Sequence, residues 1–223
     1  MHPGMDAIEE WTQAQARVVG LVRGLGTEQA GTAVPACPDW TVRDLLSHVV
    51  GANVDVLAGQ EPDEHDPVWT QSHVDRRAGR GIGALLAEWE PLTGPMRAWM
   101  GEHGTRPVND VVVHEQDLRG ALGVPGARDT PALAALRDRF AGRVAAAVDG
   151  AGLPPLALVG ETWRTGPADA AVVVSASDFD LARAVLSRRS AGQLRSWTTR
   201  GDVDPYLSCF AVLGPLPEDD LVE

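Results

Sequence analysis

Lysine is absent from this 223-residue chain, so all 19 basic residues are arginine. That bias points to a GC-rich coding sequence and carries no mechanism of its own. Positive charge is short overall: 31 acidic residues against 19 arginines leave a formal net charge of -12. Nonspecific nucleic-acid binding needs a basic surface to neutralise phosphates, so no nucleic-acid partner is expected. Cysteine is scarce too. Cys37 and Cys209 stand far apart, form no C-x-x-C pair and are not expected to bridge in a cytosolic chain. No apolar run approaches the roughly 20 residues of a spanning helix, so no membrane partner is expected. The opening MHPGMDAIEEW lacks the basic and apolar stretches of a secretory signal, and a cytoplasmic location is the expectation. Walker and Rossmann glycine loops and the G-x-S-x-G elbow are missing as well, which argues against nucleotide-binding and serine-hydrolase functions.

What is present reads as an ordinary globular composition, 44% hydrophobic and 22% charged, and it is long enough for one large domain or two small ones. Trp11, Val18, Leu21, Val22 and Leu25 recur near helical spacing and predict a first helix over about 6–25. Thr27–Ala36 reads as a connector, and Cys37-Pro38-Asp39-Trp40 leads into a second helix. Thr41 is a natural N-cap there, with Asp44 at the capping-box position. Leu45, His48, Val49, Ala52 and Val56 then share one face, which turns His48 inward. A third helical stretch is expected from Ser72 or Ile82 to Met100, open to interruption by Pro91 and Pro95. A fourth, NDVVVHEQDLRGAL over Asn109–Leu122, is stopped by Gly123 and Pro125. Trp11, Trp89 and Trp99 fall on helical stripes and are expected in the core, with Trp40 packing at the start of the second helix.

The last third differs. Thr130 caps an alanine-rich helix through about Val148. Leu156–Gly160 and Ala171–Ala176 are short apolar runs, expected as an antiparallel pair turning at Gly166-Pro167. Ser177, with Asp180 three residues on, caps a further helix, and a short one follows at 191–197. The expected architecture is mostly α: an antiparallel four-helix bundle over 1–125, followed by a small α+β domain over 126–223.

One constellation carries chemistry. Asp110 and His114 lie four residues apart, one helical turn, and so on one face. Imidazole and carboxylate suit zinc, nickel or ferrous iron, and His48 from the second helix could complete a three-ligand site with an open position for water or a thiolate. The same spacing also suits a hydrogen-bonded core histidine, so on the residues alone both readings stand. Cys37 reads as a packed or exposed thiol. His65, within the acidic DEHD run at 63–66, and His73 beyond it read as solvated, as do His2 and His103.

CPDWTVRDLLSHVVG, VVVHEQDLRGALGVP and LARAVLSRRSAGQLRSW, in this order and separation, resemble the mycothiol-dependent maleylpyruvate isomerase family across nearly the whole chain. The resemblance implies a DinB-like metal-binding bundle with a small C-terminal domain. It implies a divalent metal, zinc foremost, on His48, Asp110 and His114. Asp110 stands where the family pattern has a longer glutamate. Asp117 and Glu115 are fallback carboxylates, and Asp117 is also placed to hydrogen-bond the His114 ring. Mycothiol is the implied cosubstrate: a metal-bound thiolate attacks a small electrophile, and the protein is a monomer or homodimer acting as an S-transferase or isomerase. Arg76 and Arg77, with Arg80 beside them, are the arginines nearest the region that would contact a substrate carboxylate. Arg188, Arg189 and Ser190 match the family's C-terminal signature, where they touch the thiol's polar groups or pack the domains. The alternative expectation is a noncatalytic metal-binding or regulatory module that kept the bundle and lost the chemistry.

Overall fold

The computed structural model describes residues 5–62 and 66–223. By internal contacts the chain divides into two compact units, one within Pro3–Ala127 and the other within Arg128–Val222.

The first unit is helical. Its elements are α1 (Ala7–Val22), α2 (Thr27–Ala30), α3 (Val42–Leu57), α4 (Pro67–Asp75), α5 (Ile82–Trp89), α6 (Thr93–His103) and α7 (Pro107–Leu122). Between α2 and α3 a two-stranded ribbon, β1 (Ala33–Val34) and β2 (Cys37–Thr41), replaces the expected connector. The first, second and fourth helices stand close to their expected bounds. The third stretch is broken into α4, α5 and α6. The segment 76–81 contains Gly79 in the left-handed region (φ 77°) and Gly81 at the N-cap of α5. Pro91 lies in a 3-10 turn over Glu90–Leu92, while Pro95 sits in the first turn of α6, where a missing N–H costs nothing. Trp11 and Trp89 are fully buried, whereas Trp99 is only half-buried and stacks on the exposed His103.

Local chemistry sets where the two site-bearing helices begin and end. Thr41 accepts from the Asp44 N–H at 3.3 Å, and Asp44 accepts from the Thr41 N–H at 3.1 Å and its hydroxyl at 2.6 Å, closing the capping box on α3. Partial burial pushes the Asp44 carboxyl up, but the Thr41 bonds and the Arg43 charge outweigh it and hold the group below its ordinary 3.8. A carboxylate with a depressed folded value contributes stability above its unfolded value and loses it as pH falls through the folded one. Asp44→Ala should therefore cost about 1 kcal/mol at neutral pH, with the gap to wild type closing below about pH 4; urea melts across that range measure it. Pro107 opens α7 at its first position, and Gly123 closes it in the left-handed conformation (φ 63°).

The second unit holds α8 (Pro131–Gly150), β3 (Leu156–Val159), β4 (Arg164–Thr165), β5 (Val172–Ser175), α9 (Asp178–Val185), α10 (Ala191–Ser196) and β6 (Thr198–Arg200). Thr130, Ser177 and Ser190 cap the three helices. The sheet order is β4-β3-β5-β6. The expected antiparallel pairing of the two apolar runs is corrected: β3 and β5 run parallel, Leu156 opposite Val172. The turn closes earlier, where the Gly160 N–H donates to the Trp163 carbonyl at 2.8 Å, and β4 folds back on β3. A second reversal then returns the chain, and two reversals leave β5 pointing along β3. Gly166 makes that return against the sheet; a Cβ there would lie 2.3 Å from the Leu156 carbonyl oxygen. The chain is thus mostly helical with a small sheet-containing C-terminal part. Among the described residues no helix is long and apolar enough to cross a membrane.

Candidate metal centre

Within the first unit α3 and α7 face each other with His48 on one and Asp110 and His114 on the other. His48 turns inward because Leu45, Val49 and Ala52 on the same face are buried. Asp110 Oδ1 lies 3.3 Å from His48 Nε2 and 3.4 Å from His114 Nε2. All three ligand atoms fall within 4.8 Å of one another. A tetrahedral ion with bonds of about 2.0–2.1 Å places neighbouring ligand atoms roughly 3.3 Å apart, so aspartate reaches far enough here. Asp110 Oδ2 is buried and has no hydrogen-bond partner. A carboxylate oxygen left bare beside two imidazoles is the arrangement a cation would satisfy. The donor set therefore fits a divalent metal, and the Asp110 side chain, 31% exposed, leaves an open side toward solvent.

Without an ion the three groups pair with one another. Burial alone would lower the His114 ring, but the Asp110 charge and the hydrogen bonds His114 shares with Asp110, Asp117 and Cys37 outweigh it and raise the group well above 6.5. Conversely, desolvation raises Asp110, yet the charges of His114 and His48 hold it far below the usual carboxylate range.

Around these groups stands a supporting layer. His114 Nδ1 donates to Asp117 Oδ2 at 2.9 Å, which leaves Nε2 as the nitrogen on the Asp110 side. The Cys37 thiol on β2 lies 3.7 Å from the same Asp117 oxygen. Cys37, His114 and Asp117 form a second close group of metal-capable atoms. Both cysteines are free thiols. The Trp40 ring packs 5.1 Å from the His48 ring.

Glu115, the other fallback carboxylate, points elsewhere: it is buried and takes Arg17 of α1 and Arg119 of α7. Arg77 corrects an expectation. Its guanidinium is buried and held by Glu88 at 2.6 and 3.2 Å, with the His73 carbonyl as a third acceptor, so it is spent inside the fold. Arg80 also pairs with Glu88, at 2.6 Å. Arg76 is half-exposed and reaches Asp55 Oδ2 at 2.7 Å. In the second unit Arg189 is buried on Asp180, at 2.9 and 3.1 Å, and Ser190 caps α10.

His73 overturns its solvated reading. It is fully buried on α4, with Nδ1 at 3.1 Å from His48 Nδ1 and Nε2 at 3.1 Å from Asp55 Oδ2. Burial and the neighbouring His48 push its ring down to about 4, against the pull of Asp55. A usable signal stood in the sequence: Asp66 caps α4 by accepting the Val68 N–H at 2.8 Å, and Pro67 opens it. That D-P pair starts a helix that carries His73 into the bundle. Asp63, Glu64 and His65 of the DEHD run, and His2, lie outside the described residues.

Comparison with known proteins bears on the family and the fold. Residues 11–99 match the family model of the mycothiol maleylpyruvate isomerase N-terminal domain. This segment belongs to that family. The match takes in α1 to α6 and His48, and ends before Asp110 and His114 on α7. The crystal structure of the mycothiol-dependent maleylpyruvate isomerase is similar in fold, with a TM-score of 0.60 at 15% identity over 90% of this chain and 94% of that one. A histidine-to-alanine mutant of that isomerase gives 0.58 at 14%, with the same coverage. No curated protein matches the chain. The family read from the three motifs is thereby borne out, as is the mostly helical fold.

Proposed function

We propose that this maleylpyruvate isomerase-like chain is a cytoplasmic, divalent-metal-dependent and mycothiol-dependent S-transferase or isomerase, with His48, Asp110 and His114 as the metal ligands and zinc as the metal. One observation carries the reading: two imidazole Nε2 atoms converge on a single Asp110 oxygen whose twin is buried without a partner. A divalent cation bound there supplies thiol activation, lowering the thiol's pKa so that a thiolate exists at neutral pH.

The chain's own residues do the rest. Asp117 holds the His114 ring in the tautomer whose Nε2 lone pair faces the centre. Trp40 packs on the His48 ring and limits its motion. The exposed edge of Asp110 marks the side from which thiol and electrophile arrive. With an activated double bond the thiolate adds, the bond rotates, and the thiolate leaves unchanged; with a leaving group it stays on the product. With Arg77 committed to Glu88, a substrate carboxylate has to find its cation elsewhere.

The test is metal content and thiol handling. Wild type purified without added metal should carry about one divalent ion per chain, and His48→Ala and His114→Ala should each carry far less. Equal metal in wild type and variants would sink the ligand assignment. Loaded protein should conjugate mycothiol to monochlorobimane. Metal binding with no mycothiol binding or conjugation would favour a noncatalytic module. Commitment of Arg77 and Arg80 to one internal carboxylate is the observation on that side.

A further inference from the structure

Both Nε2 atoms face Asp110, and a four-member chain holds the far side of His48. Arg76 donates to Asp55 Oδ2 at 2.7 Å, His73 Nε2 lies 3.1 Å from the same oxygen, and His73 Nδ1 lies 3.1 Å from His48 Nδ1. Polarity along this chain follows from elementary hydrogen-bond rules. Arginine can only donate, and Asp55 beside it is held ionised: burial raises its carboxyl, but Arg76 and His73 bring it below the ordinary value. An ionised carboxylate only accepts, so His73 Nε2 carries a hydrogen. In a neutral imidazole the other nitrogen is then an acceptor. His73 Nδ1 therefore takes the hydrogen on His48 Nδ1. Asp110, also ionised, calls for a hydrogen on His48 Nε2, 3.3 Å away, and that hydrogen is the one an ion would replace.

We propose that His73 is a positioning residue that fixes the tautomer of His48, with Asp55 and Arg76 setting the direction of its hydrogen bonds. This rests on the metal reading of His48, Asp110 and His114. Its physical content is that tautomer choice is relayed through a neutral ring rather than made by a carboxylate directly, as Asp117 does for His114. The two histidines thus present the same nitrogen, Nε2, to the site from differently charged supports. His73's seat is built for the ring. On α3, Gly51 lies beneath it, where a Cβ would stand 2.5 Å from His73 Cβ and Cγ. Glycine is a poor residue inside a helix, and here it is the one that admits the ring. The full burial of His73 and the Trp69 ring, set edge-to-face with ring centres 4.3 Å apart, leave the imidazole no second orientation that keeps Asp55.

The experiment reads His48 directly. In metal-free protein, 15N–1H correlations should show a hydrogen on His48 Nδ1, the nitrogen that faces His73. His73→Phe keeps a ring and removes both nitrogens; it should move His48 to a mixture of tautomers or to Nε2–H. Metal affinity by chelator competition should fall about 10- to 100-fold in the same variant. His73→Gln, whose amide oxygen can accept the Nδ1 hydrogen, should restore the tautomer and most of the affinity. Asp55→Asn tests the same relay should His73→Phe fold badly: its amide can donate to His73 Nε2, which reverses the relay and moves the His48 hydrogen to Nε2. A His48 tautomer unchanged in both His73→Phe and Asp55→Asn overturns the proposal, as does unchanged affinity in a wild type that binds metal. A wild type that binds no metal overturns the proposed function instead, and the 15N shifts still decide the role of His73.

Discussion

Glu115→Ala is expected to destabilise the bundle by about 3–5 kcal/mol, the usual cost of breaking a buried ion pair by removing one partner. Glu115 is 1% exposed and accepts from Arg17 Nε and Nη2, both at 2.8 Å, and from Arg119 at 3.0 and 3.1 Å. Removing the carboxylate strands two guanidiniums at the packing of α1 against α7, and the Arg119 side chain, 13% exposed, has little water to turn to. Arg17, which burial alone would leave short of solvation, has its pKa raised first of all by its hydrogen bond to Glu115. Chemical denaturation should show a fall in midpoint at unchanged slope. Glu115→Gln keeps the shape and one acceptor and should cost roughly half as much. A loss below about 1 kcal/mol for the alanine variant would mean the network contributes little. The same variants separate support from ligation: metal stoichiometry should be unchanged in Glu115→Gln, because its side chain does not face His48.

Asp110→Ala is the second large effect. Removing a support behind a ligand costs about 10- to 100-fold in metal affinity, and removing a ligand should exceed that. The expected result is loss of more than about 100-fold in a chelator competition, with Asp110→Asn close behind, since an amide is neutral and a weaker donor to a divalent ion. Asp110→Glu should bind no tighter than wild type. The carboxylate already lies 3.3 and 3.4 Å from the two Nε2 atoms, and an added methylene carries it past that point. Affinity retained in Asp110→Ala would show that another carboxylate completes the site, and Asp117, 2.9 Å from His114 Nδ1, is the one within reach. The two results together would place the departure from the family's glutamate either as a working ligand or as a vestige.

Much of this site was legible along the chain because its rules are local. A Thr-x-x-Asp box begins α3, a proline and a glycine bound α7, and a four-residue interval puts Asp110 and His114 on one face; none of these depends on the rest of the fold. The inward turn of His48 followed from the apolar residues sharing its face. Where the reading went astray, the deciding contact joined distant residues. Arg77 was expected near a substrate carboxylate, and its partner Glu88 lies eleven positions on, across a break between helices. The two apolar runs of the second unit matched an antiparallel pair by pattern. One extra reversal, through Gly166 pressed on the Leu156 carbonyl, made them parallel.

The sequence by itself determined which helices carry imidazole and carboxylate, and on which faces, because helical periodicity and capping act within a few residues. Only the tertiary structure decided that His73 stands behind His48 over Gly51, that Asp55 and Arg76 stand behind His73, and that Glu115 is taken by Arg17. Those pairings span from 18 to 98 positions along the chain. They exist because burying a charge or an imidazole is unfavourable until a partner is found, and in a packed bundle that partner is set by which faces meet.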